Sequence, residues 1–257
     1  MGYLIGGAGE GPEEEIVVSG SDYSNLSDTQ LLKLRDQTVK DIAKYNNFQM
    51  ARKIALNSCY GAIGNQYFRY YKLANAEAIT LSGQVSIRWI EQKVNGYLNK
   101  LLSTEDTDYV IASDTDSIYI NFGPIVNKFF GNKVDDKGKI VSIIDKICQD
   151  KLEPFIESSY QKLADYVNAY EQKMQMKREN IADRGIWTAK KRYILNVWNS
   201  EGVQYSEPKL KVMGIESVKS STPAPCRKML KDAFKILMTG TEDEVQEYID
   251  ELILSGF

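Results

Sequence analysis

Residues 109–122 read YVIASDTDSIYINF, with Asp114 and Asp116 one residue apart between two runs rich in β-branched and aromatic side chains. The runs, Tyr109 to Ala112 and Ile118 to Phe122, have the composition of buried strands, so SDTDS reads as the bend of a hairpin. Asp and Ser are ordinary turn residues, and turn chemistry alone accounts for their presence. The spacing suggests a second reading. In locally extended backbone alternate side chains share a face, so these carboxylates would repel unless a cation lay beside them. A hard divalent ion such as Mg²⁺, held by one or two carboxylates with phosphate oxygens and water, suits the pair. On this stretch alone both readings stand.

Two further stretches carry chemistry. QMARKIALNSCYGAIGN places Lys53, Asn57 and Tyr60 on one stripe of an expected helix, with Gly61 just beyond the ring. A cation, an amide and an aromatic ring form a set that could take up a nucleotide, and Gly61 would let a ligand or backbone come close. The same stripe also fits a solvated helix face. In TAKKRYILNV, Lys190, Lys191 and Arg192 precede Tyr193 at the start of an expected strand. Such a cluster can track a phosphate backbone, with Tyr193 against sugar or base. Lysines at a sheet edge, where they block unwanted pairing, give the same pattern.

Composition narrows the chemistry. The 257 residues contain no histidine, which removes His-based triads, mixed Cys/His zinc sites and HExxH hydrolases. Hydrophobic residues are 43% and charged residues 26%, as in globular proteins, and no apolar run reaches the length of a membrane span. Cys59, Cys148 and Cys226 are widely separated, without metal-ligand spacing, and read as reduced thiols of an intracellular protein. A net charge of −3 argues against a generally basic coat but allows a local basic groove.

The elements that must position these residues follow from periodicity and breakers. Residues 1–27, with scattered glycines and Glu13–Glu15, read as a flexible lead-in. Asp28 can cap a helix over LLKLRDQTVKDIAKY. A second helix is expected from about Asn46 to Ala62. A third runs from about Asn75 to Leu102, with Ile79, Val85, Trp89, Val94, Tyr97 and Leu101 facing the core. After the hairpin, 124–138 reads as a polar loop turning at Asp135–Gly138, and Ile140 to Tyr170 as helix interrupted by Pro154. WTAKKRYILNVWN and VQYSEPKLKVMGIE read as two strands joined at Ser200–Gly202. Ser220–Thr222 supply an N-cap before Pro223, and two helices end the chain.

Taken in order, the three motifs resemble those of family B DNA polymerases of the T-even bacteriophage type. KIALNSCYGAIGNQYFRYY is similar to that family's fingers-helix motif, SDTDS to its palm metal motif, KKRY to its primer-contacting motif, and KVMGIESVKSSTP to the entry into the thumb. The resemblance covers about Asp28 to the C-terminus. It implies an α+β fold: a palm with an antiparallel sheet and packed helices, part of the fingers, and the start of a helical thumb. The corresponding divisions are 1–27 lead-in, 28–66 fingers, 67–219 palm and 220–257 thumb.

The resemblance also implies template-directed nucleotidyl transfer with two Mg²⁺ ions, primer–template DNA and deoxynucleoside triphosphates. Asp116 would be the stronger metal ligand, with Asp114 near the site or acting through water. Lys53 would neutralise triphosphate charge, Asn57 position the nucleotide, and Tyr60 with Gly61 line the nascent base pair. Lys190, Lys191, Arg192 and Tyr193 would hold the primer, and Glu179 would be a peripheral acid. A phage-encoded protein of this kind would work in the host cytoplasm.

Departures from the pattern matter. The family's other palm aspartate, in a segment like Asp-x-x-Ser-Leu-Tyr-Pro, is not found. Asp22 in VVSGSDYSNLS lacks the Tyr-Pro and lies too near Lys53 for a complete fingers hairpin. Ser113 stands where the family usually has glycine. The expectation is therefore a polymerase portion that is inactive without a fragment supplying that aspartate. Two rivals are a non-catalytic primer–template-binding module and another two-metal enzyme such as a nucleotide cyclase; the helix before SDTDS and the KKRY strand after it argue against the latter.

Overall fold

The computed structural model describes residues 26–131 and 136–254. Asp22, the acidic lead-in up to residue 25, and Asp135 of the expected turn lie outside the described residues. The chain divides into two compact units between Gly83 and Gln84.

In the first unit, one helix, α1 (Asp28–Ile63), replaces the two expected. No glycine or proline interrupts residues 28–60, and the Asn46–Asn47 pair costs too little propensity to break a helix. Asp28 lies in its first turn rather than capping it; the cap is Ser27, whose N–H donates to Gln30 Oε1 at 2.9 Å. The apolar residues of α1 are scattered around its circumference, and none is buried. A short connection leads into α2 (Leu73–Leu102), and the Tyr60 and Thr80 hydroxyls lie 3.2 Å apart.

The second unit holds the main core. Along the part of α2 in this unit the buried residues are Ser86, Ile90, Val94, Leu98 and Leu102, one every fourth position. Of the expected stripe Val94 is buried and Trp89 and Tyr97 flank the core, whereas Ile79, Val85 and Leu101 are exposed. The six-residue step from Ile79 to Val85 already leaves a single face of a 3.6-residue helix.

The hairpin follows as β1 (Val110–Asp114) and β2 (Ser117–Ile120), antiparallel. The expected polar loop is instead largely helix, with α3 at Gly123–Phe130 and α4 at Lys137–Ile147. Pro124 begins α3 without loss because an N–H in the first turn has no partner within the helix. A π-turn over Cys148–Leu152 leads into α5 (Glu153–Tyr166), where Pro154 occupies the first turn.

The second sheet has three antiparallel strands, β3 (Asn180–Ala189), β4 (Arg192–Ser200) and β5 (Val203–Met213), in that order. WTAKKRYILNVWN is thus not one strand: a tight turn at Lys190–Lys191 divides it, with Lys191 at φ 61°. The Glu201–Gly202 turn lies within the joint expected between the two runs. Pro223, not Ser220–Thr222, is the N-cap of α6 (Ala224–Thr239), and α7 (Glu242–Leu254) follows.

Alternation along the strands explains the packing. Ile118 and Ile120 enter a core built with α2, α3, α4 and α5, while Tyr119 on the opposite face joins Ala182, Tyr193, Leu195 and Val197 of the three-stranded sheet. Ile194 points to the other side of that sheet, where it meets Ile215 and Met238. The architecture is α+β, with the hairpin held between helices and sheet.

Candidate active site

The aspartates sit at the tip of that held hairpin. Asp114 pairs with Ser117, leaving Thr115 and Asp116 as the turn; Thr115 has φ 55°, and Asp116 N–H donates to the Asp114 carbonyl at 2.6 Å. The alternating extended geometry expected for the two carboxylates is therefore replaced by a tight turn. Both still project from one short segment. Asp114 is half-buried and Asp116 exposed.

Each carboxylate has its own surroundings. Thr115 Oγ1 donates to Asp114 Oδ1 at 3.0 Å, and Lys191 Nζ stands 3.5 Å from the same oxygen. The KKRY turn is thereby brought to the SDTDS turn, although the two are far apart in sequence. Asp116 acts electrostatically on Tyr160 of α5: burial, and then the Asp116 charge, push the Tyr160 hydroxyl up to about 12.

Beneath the hairpin lies an aromatic cluster. The Tyr119 ring meets those of Trp187 and Tyr193 edge to face, at 5.4 and 5.5 Å between centroids. Tyr193 is 7% exposed, so its ring belongs to this cluster rather than to an open surface. Burial, a hydrogen bond with Tyr119 and the charges of Glu179 and Asp114 all raise its hydroxyl pKa. Glu179 accepts an ion pair from Lys211 at 2.7 Å; the two line a cavity of about 10 Å³ with Ser117, Tyr119 and Tyr193. Arg192 turns away, pairing through Nη2 with Glu216 Oε2 at 2.6 Å, while Lys190 is exposed.

Asparagines on α2, which the apolar periodicity passes over, fix where the hairpin begins. Asn95 Oδ1 accepts from the N–H groups of Tyr109 and Val110, both at 2.9 Å, and Asn99 Nδ2 donates to the Thr107 carbonyl at 2.8 Å. Two asparagines four apart on an otherwise core-forming helix were the available signal. Buried Arg178 is a second omission: it pairs with Asp145 at 2.5 Å and donates to Asn199 Oδ1 at 2.7 Å, joining α4 to the sheet. Nothing in MKREN distinguishes it from neighbouring surface charges.

The nucleotide-type set on α1 is arranged as its spacing requires. Lys53, Asn57 and Tyr60 are helical and exposed, and a Cβ on Gly61 would meet no atom within 4 Å. A cavity of about 840 Å³ is lined by Lys137, Trp198 and Tyr205 among others and by no hairpin residue.

Comparison with known proteins gives the family. Residues 29–135, which include Lys53 to Gly61 and both aspartates, match the model of DNA polymerase family B. The chain is 40% identical over 250 residues to the DNA-directed DNA polymerase of Enterobacteria phage T4, an alignment that covers 92% of this chain and 28% of that protein. It is 44% identical over 198 residues to the DNA-directed DNA polymerase of Escherichia phage RB69, covering 74% and 22%. The chain belongs to the family B DNA polymerases, of the T4 type. It is 33% identical over 75 residues to the DNA polymerase delta catalytic subunit of Drosophila melanogaster, covering 29% of this chain and 7% of that protein. The chain spans about a quarter of the length of its two phage relatives.

Family B polymerases use divalent metals, and the donors present fit one. Asp114 and Asp116 offer hard oxygen ligands, and Mg²⁺ is usually bound through one or two carboxylates with substrate phosphates and water. Among the described residues no cluster of three acidic, histidine or cysteine side chains forms a ready-made metal cage. Nor, among them, is any helix long and apolar enough to cross a membrane.

Proposed function

We propose that this chain is the part of a DNA-directed DNA polymerase that carries its metal-binding palm turn, part of its fingers and the start of its thumb, with divisions at 28–66, 67–219 and 220–257. The observation carrying the proposal is the tandem-aspartate turn with the KKRY turn against it, in a chain of this family. Asp116, and Asp114 beside it or through water, would hold two Mg²⁺ ions together with the other palm aspartate. When bound, such ions supply activation of a primer 3′-hydroxyl and neutralisation of triphosphate charge during in-line displacement. Exposed Asp116 is open to direct ligation, while half-buried Asp114 is steadied by Thr115.

On α1, Lys53 would neutralise triphosphate charge, Asn57 orient the incoming deoxynucleoside triphosphate, and Tyr60 with Gly61 line the new base pair. Lys190 and Lys191 would contact the primer backbone, and Tyr193 would support that turn from beneath. Arg192, committed to Glu216, would hold the primer-binding strand to the segment entering α6. Glu179 remains a peripheral acid, balanced by Lys211. The partner in catalysis is a polymerase segment carrying the other palm aspartate, and the setting for a phage-encoded protein is the host cytoplasm.

The test is extension of a primed template by the purified chain, alone and with the portion of phage T4 polymerase that precedes the matched stretch. Extension is expected only with the added portion, and Asp116→Ala should reduce it on the order of a thousandfold. Extension by the chain alone, lost in Asp116→Ala, would refute the need for the second segment. The cationic KKRY turn also fits one other reading, a non-catalytic primer–template-binding module. Salt-dependent DNA binding with no extension under either condition would favour it.

A further inference from the structure

The Lys191 ammonium is the one cation among the described residues paired with either carboxylate of the aspartate turn, at 3.5 Å from Asp114 Oδ1. Its backbone is firmly placed. Lys191 lies at φ 61°, uncommon for a residue with a side chain, and its carbonyl oxygen comes within 2.2 Å of where a Cβ on Gly214 would stand. Gly214, itself at φ 66°, is what permits this approach. The side chain is free to leave: it is 63% exposed, and ion pairs at such sites are weak. Thr115 Oγ1 donates to the same carboxylate oxygen, so Asp114 is held by two donors that a metal can displace.

We infer that Lys191 is a resting counter-ion for Asp114, competing with the divalent metal until DNA draws it away. The inference rests on the metal reading of the turn given above. An ammonium shared between Asp114 and a primer phosphate neutralises each less than one committed to either. Capture of Lys191 by DNA therefore vacates Asp114 for metal, and metal on Asp114 releases Lys191 to DNA. The linkage is reciprocal, so metal and primer–template each favour the other. A buried, multiply bonded cation at this position would block the site instead; the exposure of Lys191 is what makes the exchange possible.

The experiment is a Mn²⁺ titration of the full chain without DNA or nucleotide, read by water-proton relaxation, on wild type, Lys191→Gln, Lys191→Arg and Asp116→Asn. Lys191→Gln should bind Mn²⁺ about two- to fivefold more tightly than wild type, the range an exposed ion pair allows. Lys191→Arg, which keeps the charge, should stay near wild type. Added primer–template should then raise Mn²⁺ affinity more in wild type than in Lys191→Gln. Equal or weaker binding by Lys191→Gln, with Asp116→Asn still deficient, would overturn the counter-ion role and leave the metal reading standing. Mn²⁺ binding indifferent to Asp116 in every variant would remove the metal reading and this inference together.

Discussion

Tyr160 couples the aspartate turn to the stability of the fold. It is 3% exposed, and its folded-state pKa of about 12 lies above the ordinary 10.0. The neutral hydroxyl is thus favoured by folding. Its contribution is complete below pH 10 and is lost as pH rises toward 12, by about 3 kcal/mol at most. Urea midpoints measured from pH 8 to 11 should fall with pH, and Tyr160→Phe should flatten part of that fall. Buried Cys148, raised mainly by desolvation, adds to the same slope. At this scale the sequence made the bend itself legible, because Asp and Ser between two strand-like runs are turn residues. It did not show the geometry of the two aspartates: Thr115 at positive φ turns the segment instead of extending it. The burial of Tyr193 was likewise hidden, since it depends on Tyr119 and Trp187 from other strands.

Two elements decide where the site's side chains stand. The β3–β4 turn is held against Gly214, so Gly214→Ala meets both a positive φ and a backbone clash. A destabilisation of about 1–3 kcal/mol is expected from such strain, checked by chemical denaturation. Helix α2 supports the hairpin through Leu98, which is 2% exposed in the core. Leu98→Ala should cost about 2–5 kcal/mol, whereas exposed Leu101→Ala should change stability little. This contrast also shows how far periodicity carries. The existence and extent of α2 were legible, but its buried row was assigned with steps that drift around the helix. Helix α3 was missed because GPIVNKFF is short, while the KKR turn was hidden by the strand-like residues flanking it.

At the scale of the whole molecule, the α+β architecture and the family followed from three ordered motifs. The packing that lays the KKRY turn on SDTDS depends on tertiary contacts that no local pattern encodes. Lys190 and Lys191 give this face a cationic edge despite the net charge of −3. Replacing both with glutamine should weaken primer–template binding and reduce the magnitude of the log K versus log salt slope by about 1–2, measured by fluorescence anisotropy across salt concentrations.

The claim on which the account turns is that the Asp114–Asp116 turn is a divalent-metal centre. Fe²⁺ substituted for Mg²⁺ in the presence of ascorbate cleaves backbone close to the bound ion, so the cut sites locate it directly. With primer–template and deoxynucleoside triphosphate present, cuts are predicted around residues 113–117 and at the adjoining Lys191 turn, disappearing in Asp116→Asn. Cleavage confined to other segments, or an unchanged pattern in Asp116→Asn, would contradict the account.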